Sequence, residues 1–129
     1  MSTLNIRIDP ARRDVQTVAV GGRLDTHTYL QLDEALAPLL EDPAILSLVL
    51  DLHGLEYISS AGVRSIFRAR KALAGRAGRV LVVNPQPQIQ KVFDLVKAVP
   101  LHEIFSSAAE ADAYLDAMQR KVLDGDDDA

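Results

Sequence analysis

The residues best placed to do chemistry are two adjacent serines, Ser59 and Ser60, in the stretch Asp51-Leu52-His53-Gly54-Leu55-Glu56-Tyr57-Ile58-Ser59-Ser60-Ala61-Gly62-Val63-Arg64. An apolar strand ends near Asp51, a loop follows, and a helix begins at Ser59 or Ser60. A serine there can cap the helix, its oxygen accepting one of the unpaired amides of the first turn. A phosphoryl group is also favoured there, because those free amides and the positive end of the helix dipole point towards it. Ser60, Arg64, Arg68 and Lys71 lie along one stripe of such a helix, so a phosphoryl group on Ser60 sits about one turn from the Arg64 guanidinium. The plain alternatives are a serine that only caps and a basic stripe that is only a solvated face.

Other chemistry is poorly supported. Asp51, His53 and Ser60 invite comparison with a hydrolytic triad, but no Gly-x-Ser-x-Gly elbow is present. His27, His53 and His102 are too scattered for a metal motif. Gly21-Gly22 lacks the rest of a dinucleotide or phosphate-loop fingerprint and reads as a turn. Asp25 has two readings, as the cap of a helix beginning near Thr26 or as part of a partner surface beside the serines. The absence of cysteine excludes disulfides and thiol nucleophiles.

These residues need a scaffold, and the patterning supplies one. Leu4, Ile6 and Ile8 alternate with polar residues as in a half-exposed strand, and a turn spans Asp9 to Asp14. Val15 to Val20 reads as the second strand of a hairpin, ended by Gly21-Gly22. Leu32, Leu36, Leu39 and Leu40 mark a helix that Pro38 should kink or shorten. Ile45 to Leu52 is a buried strand, and Val63, Ile66, Phe67 and Leu73 give the buried stripe of the next helix. Val80 to Val83 is another buried strand, closed by Asn84, Pro85 and Pro87. Ile89, Val92, Phe93 and Val96 follow at helical spacing, then a short strand near Ile104. Ser107 and Glu110 form a capping box for a last helix with Ala111, Tyr114, Leu115, Met118 and Val122 inward. Strands alternating with helices predict an α/β fold with a mixed, mostly parallel sheet and about four helices mainly on one face.

The 129 residues suffice for one domain, expected over residues 1–122, with an acidic tail over residues 123–129. No apolar run has the roughly 18 residues of a membrane span, and the N-terminus lacks the layout of an export signal, so a cytoplasmic location without membrane insertion is expected. A net charge of −4, with three Phe, three Tyr and no Trp, argues against nucleic-acid binding.

The order of elements around Asp51-Leu52, Tyr57-Ile58 and Ser59-Ser60-Ala61-Gly62 resembles the signature of bacterial anti-sigma factor antagonists, which are STAS-domain proteins. Gly22-Arg23-Leu24-Asp25 looks like that family's turn into its first helix, and Val80 to Asn84 like its later core strand. The resemblance implies a non-enzymatic partner switch without a cofactor, acting as a monomer or weak dimer. In such a switch an anti-sigma factor serine kinase binds the unphosphorylated protein, phosphorylation abolishes the binding and a serine phosphatase restores it. It implies Ser60 as acceptor, with Ser59 second, and a contact surface of Asp25, Tyr57, Ile58, Ser59, Ser60, Gly62, Val63 and Arg64. Aligned on Gly62, the common Asp-Ser-Ser-Gly box would carry its phosphoserine at Ala61, which has no hydroxyl. The same resemblance also implies an alternative, a STAS structural subunit of a transporter or other complex without a phosphate switch.

Overall fold

The computed structural model describes residues 3–98 and 105–125. In chain order the elements are β1 (Leu4–Ile8), β2 (Val15–Leu24), α1 (Tyr29–Glu41), β3 (Ser47–Asp51), β4 (Leu55–Ile58), α2 (Ser60–Ala74), β5 (Arg79–Val83), α3 (Pro87–Ala98) and α4 (Ala108–Leu123). β1 and β2 form the expected antiparallel hairpin, while β2 with β3 and β3 with β5 are parallel, so the sheet is mixed and mostly parallel. Its core face carries Val18, Val20, Leu48 and Leu50, packed with Leu32 and Leu36 of α1 and with Val63, Ile66 and Leu73 of α2. On the opposite face Thr17 and Val49 are only half-buried and Leu81 is exposed, so the helices cover one side.

Two departures from the expected elements shape the site. The second strand does not stop at Gly21-Gly22 but continues to Leu24. Gly22 passes through the turn of the backbone there at a φ of +87°, and a Cβ would lie 2.5 Å from the Thr3 carbonyl, so only glycine fits. The extension gives β2 a second parallel partner. Residues 15–19 pair with β3, and residues 22–24 pair with β4, with a register shift between Gly22 and Arg23. The stretch expected to be a loop after Asp51 therefore contains a four-residue strand, with Leu55 and Ile58 fully buried. Its alternation is too short to stand out without β2 beside it.

Smaller differences have local causes. α1 runs on through Pro38 to Glu41. Its last carbonyls, at Leu39 and Leu40, accept from the Arg76 guanidinium, which also donates to the carbonyls of Asp42 and Ile45. Pro87 opens α3 rather than closing a strand, since a proline at a first helical position gives up no needed amide. In α4 only half of the capping box forms. Ser107 Oγ accepts from the Glu110 amide, but the Glu110 carboxylate accepts from Ser106 Oγ. Ala111 and Leu115 are buried as expected, while Tyr114 is exposed and lies against Phe105. The strand expected near Ile104, His102 and residues 126–129 of the tail lie outside the described residues.

Candidate functional site

The serine pair lies at the join of β4 and α2. The Ser59 amide donates to the Leu24 carbonyl, continuing the β2–β4 ladder for one more residue. Ser59 then turns into the helix in extended conformation, and its Oγ accepts from the Gly62 amide at 3.4 Å. Ser59 is therefore the cap and Ser60 the first helical residue. Gly62 seats this first turn against the sheet, because a Cβ there would lie 2.7 Å from Leu24 Cγ, 2.9 Å from Ile58 Cγ1 and 2.9 Å from the Leu24 carbonyl oxygen.

Ser60 differs from its neighbour. Its amide donates to Asp112 Oδ1 of α4 at 2.8 Å, so a carboxylate holds the place that the helix dipole favours for an anion. Its hydroxyl is the one buried side-chain oxygen or nitrogen without a hydrogen-bond partner among the described residues. A buried, unpaired hydroxyl is costly and calls for an explanation.

α4 also closes the free edge of β4. Gln119 Nε2 donates to the Ile58 carbonyl at 2.8 Å and to the Leu115 carbonyl, and its Oε1 accepts from the Ile58 amide at 3.0 Å. Two residues back along β4, the Glu56 carbonyl accepts from Gln88 Nε2 of α3. Glutamine amides thus satisfy an edge that would otherwise present bare backbone groups.

Of the residues expected to form a contact surface, the structure brings all into one neighbourhood but leaves few at the surface. Arg64 is exposed and Tyr57 half-buried, whereas Asp25, Ile58, Ser59, Ser60, Gly62 and Val63 are buried. Asp25 is fixed in the turn entering α1. Its Oδ1 accepts from the His27 amide and from Thr28 Oγ1, and its carbonyl accepts from the Tyr29 amide. It is tied to the site through Arg23, whose guanidinium lies 3.6 Å from Asp25 Oδ2 and stacks over the Tyr57 ring at 4.1 Å. Burial pushes the Tyr57 phenol above its ordinary range, and the Asp116 and Asp112 carboxylates push it further, against the opposing pull of Arg23.

The basic stripe divides. Arg68 is engaged by Asp33 of α1 at 2.7 Å and by Ser65. Arg64 instead borders an open cleft of about 580 Å³ between α2 and the start of α4, lined also by Ser60, Val63, Phe67 and Ala111. No triad forms, since Asp51 Oδ1 accepts from the backbone amide of His53 and from Asn84, and Ser60 Oγ accepts from neither. His27 and His53 are exposed.

Asp112, Gln88 and Gln119 were not singled out in the sequence. Gln119 did leave a signal: it continues the stripe of Ala111 and Leu115 at four-residue spacing, a polar residue in an apolar line. Asp112 left none.

Comparison with known proteins shows the family and the fold. A family model described as "STAS domain" matches residues 9–111. The "Anti-sigma F factor antagonist" of Lysinibacillus sphaericus is 24% identical over 90 residues, covering 70% of this chain and 77% of that protein. The "Anti-sigma-B factor antagonist" of Staphylococcus aureus (strain NCTC 8325 / PS 47) is 26% identical over 93 residues, covering 71% and 85%. Among solved structures, the Bacillus cell fate determinant SpoIIAA in the phosphorylated form superposes with a TM-score of 0.62 at 23% identity, over 74% of this chain and 86% of that one.

Proposed function

This chain belongs to the STAS domain family, and from that membership we propose that it is an anti-sigma factor antagonist, a cytoplasmic binding module switched by phosphorylation of Ser60. The observation that carries the reading is the position of the Ser59-Ser60-Ala61-Gly62 box at the N-terminus of α2, with a Ser60 hydroxyl that no group among the described residues uses. In the unmodified protein the surface around Tyr57, the box and Arg64 engages an anti-sigma factor serine kinase, with Asp25 holding Arg23 beneath Tyr57. A phosphoryl group on Ser60 adds nearly two negative charges beside Asp112 and about one turn from Arg64, and a partner docking there would have to desolvate them. A serine phosphatase removes the group and resets the switch. Ser59, already used as the cap, is the second acceptor. Catalysis belongs to the partners.

The test is calorimetric titration of the full chain against the anti-sigma factor kinases of its own organism. The unmodified chain and Ser60→Ala are expected to bind one of them, and chain phosphorylated by that kinase is expected not to. Failure of the unmodified chain to bind any such kinase overturns the proposal. One observation favours a second reading, a constitutive structural subunit. Ala61 has no hydroxyl where the common box carries its phosphoserine, and both remaining serines are buried. A partner that binds the chain and leaves it unmodified in the presence of ATP would select that reading.

A further inference from the structure

Burial of the box conflicts with its use as a docking surface and a kinase substrate. A kinase must take the acceptor serine into its own active site, yet Ser60 is 5% exposed and Ser59 is 2% exposed. Ser60 lies at the edge of the cleft between α2 and the start of α4, and Asp112 of α4 holds its amide. We infer that α4 is a displaceable cover, and that partner docking and modification at the box both require its release. The inference deepens the switch proposed above and rests on it only for the identity of what enters after release.

The way α4 is held fits a cover better than a core element. Of its apolar side chains Leu115 is fully buried, Ala111 nearly so and Met118 partly buried against the core, while Tyr114 and Leu123 are exposed. At the box it is fastened by polar groups: Asp112 on the Ser60 amide, and Gln119 on both backbone groups of Ile58. Asp112 and Gln119 are two turns apart on one face, so together they clasp the residues on either side of Ser59. α4 packs on α3 through its apolar face, but its hold on the box is a handful of hydrogen bonds, and an outer helix fastened in this way opens at a lower free energy than the whole domain. The groups it would leave behind, the amide and carbonyl of Ile58 and the amide of Ser60, are backbone sites that water or a partner can satisfy.

The clasp also makes the cover sensitive to the modification. The Asp112 carboxylate sits on the amide of the residue that would be phosphorylated, so a phosphate on Ser60 competes for that amide and repels the carboxylate. Re-docking of α4 and a phosphoryl group on Ser60 therefore exclude one another. A binding-competent state that is only partly populated lowers apparent affinity in proportion to its population, so loosening α4 strengthens binding.

The chain contains no cysteine, so a single thiol can report on the cover without any partner. Ser60→Cys is labelled with a thiol reagent under native conditions, alone and combined with Asp112→Ala or Gln119→Leu. Ser65→Cys, buried on the α1 side of α2 beside Arg68, reports global unfolding in the same backgrounds. The expected result is labelling of Ser60→Cys that is slower than an exposed thiol but much faster than Ser65→Cys in the same background, and accelerated on the order of 10-fold or more by either second substitution. Labelling of Ser60→Cys at the rate of an exposed thiol overturns the inference, as does labelling of Ser60→Cys no faster than that of Ser65→Cys, which would mean that the site opens only by global unfolding. A positive labelling result with no kinase binding would leave the cover standing and remove the proposed partner. Kinase binding with a failed labelling test would do the reverse.

Discussion

Substituting Gly62 by alanine tests the geometry that seats α2 on the sheet. On an exposed helix the change would stabilise, since alanine is favoured over glycine by about 1 kcal/mol in a helix interior. Here the new methyl would meet Leu24 Cγ at 2.7 Å, Ile58 Cγ1 at 2.9 Å and the Leu24 carbonyl oxygen at 2.9 Å. Leu24 and Ile58 are fully buried and cannot swing aside. The carbonyl cannot retreat without stretching its hydrogen bond to the Ser59 amide, and with it the cap of the helix. Overpacking of this kind costs about 1–3 kcal/mol, and loss of the serine cap adds about 1 kcal/mol. After the propensity gain is deducted, the variant should be less stable by about 2 kcal/mol. Urea denaturation followed by circular dichroism measures this directly, with a Tm lowered by about 5–10 °C in a thermal scan. Gly75→Ala is the control, since a Cβ there meets nothing closer than the Ala72 carbonyl oxygen at 3.5 Å. It should be neutral or slightly stabilising. A Gly62→Ala protein as stable as the parent would refute the claim that close approach, rather than flexibility, requires glycine at the box.

Gln119→Leu removes the partner of two buried backbone groups at Ile58, so it should cost about 2–4 kcal/mol in the same denaturation assay. Arg76→Ala removes the guanidinium that gathers the last two carbonyls of α1 and those of Asp42 and Ile45 beyond it, and should cost about 2 kcal/mol. Arg76→Lys should recover only part, because an ammonium cannot span that fork. In an alkaline titration followed by tyrosinate absorbance, Tyr57, assigned with Tyr57→Phe, should ionise above the ordinary value of 10.0, and Asp116→Asn should lower it. The sign for stability follows from a folded-state value above the unfolded one. The contribution is present below about pH 10 and lost as pH rises through the folded value, so Tyr57→Phe should flatten the alkaline fall in stability.

Much of the scaffold was legible because its signals are local. The apolar runs of β3 and β5 and the stripes of α2 and α3 follow from period alone, and Ser59 at the start of α2 follows from capping chemistry. The unread parts depend on residues distant in the chain. β4 is four residues long and is a strand only because β2 continues past Gly22 to meet it. α1 continues through Pro38 to Glu41, and it is Arg76, more than thirty residues away, that gathers its last carbonyls. The serine box was found by its type and place, but its burial was not, because Asp112 and Gln119 reach it across 52 and 61 residues. No spacing rule connects positions so far apart.

The most direct test of the phosphate switch is intact-mass analysis of the protein from its native host, with peptide mapping across residues 53–68. A fraction heavier by one phosphoryl group, mapped to Ser60 and abolished in Ser60→Ala, is the expected result. Protein that is unmodified under every growth condition while still co-purifying with a stable partner would contradict the switch and leave a constitutive binding module.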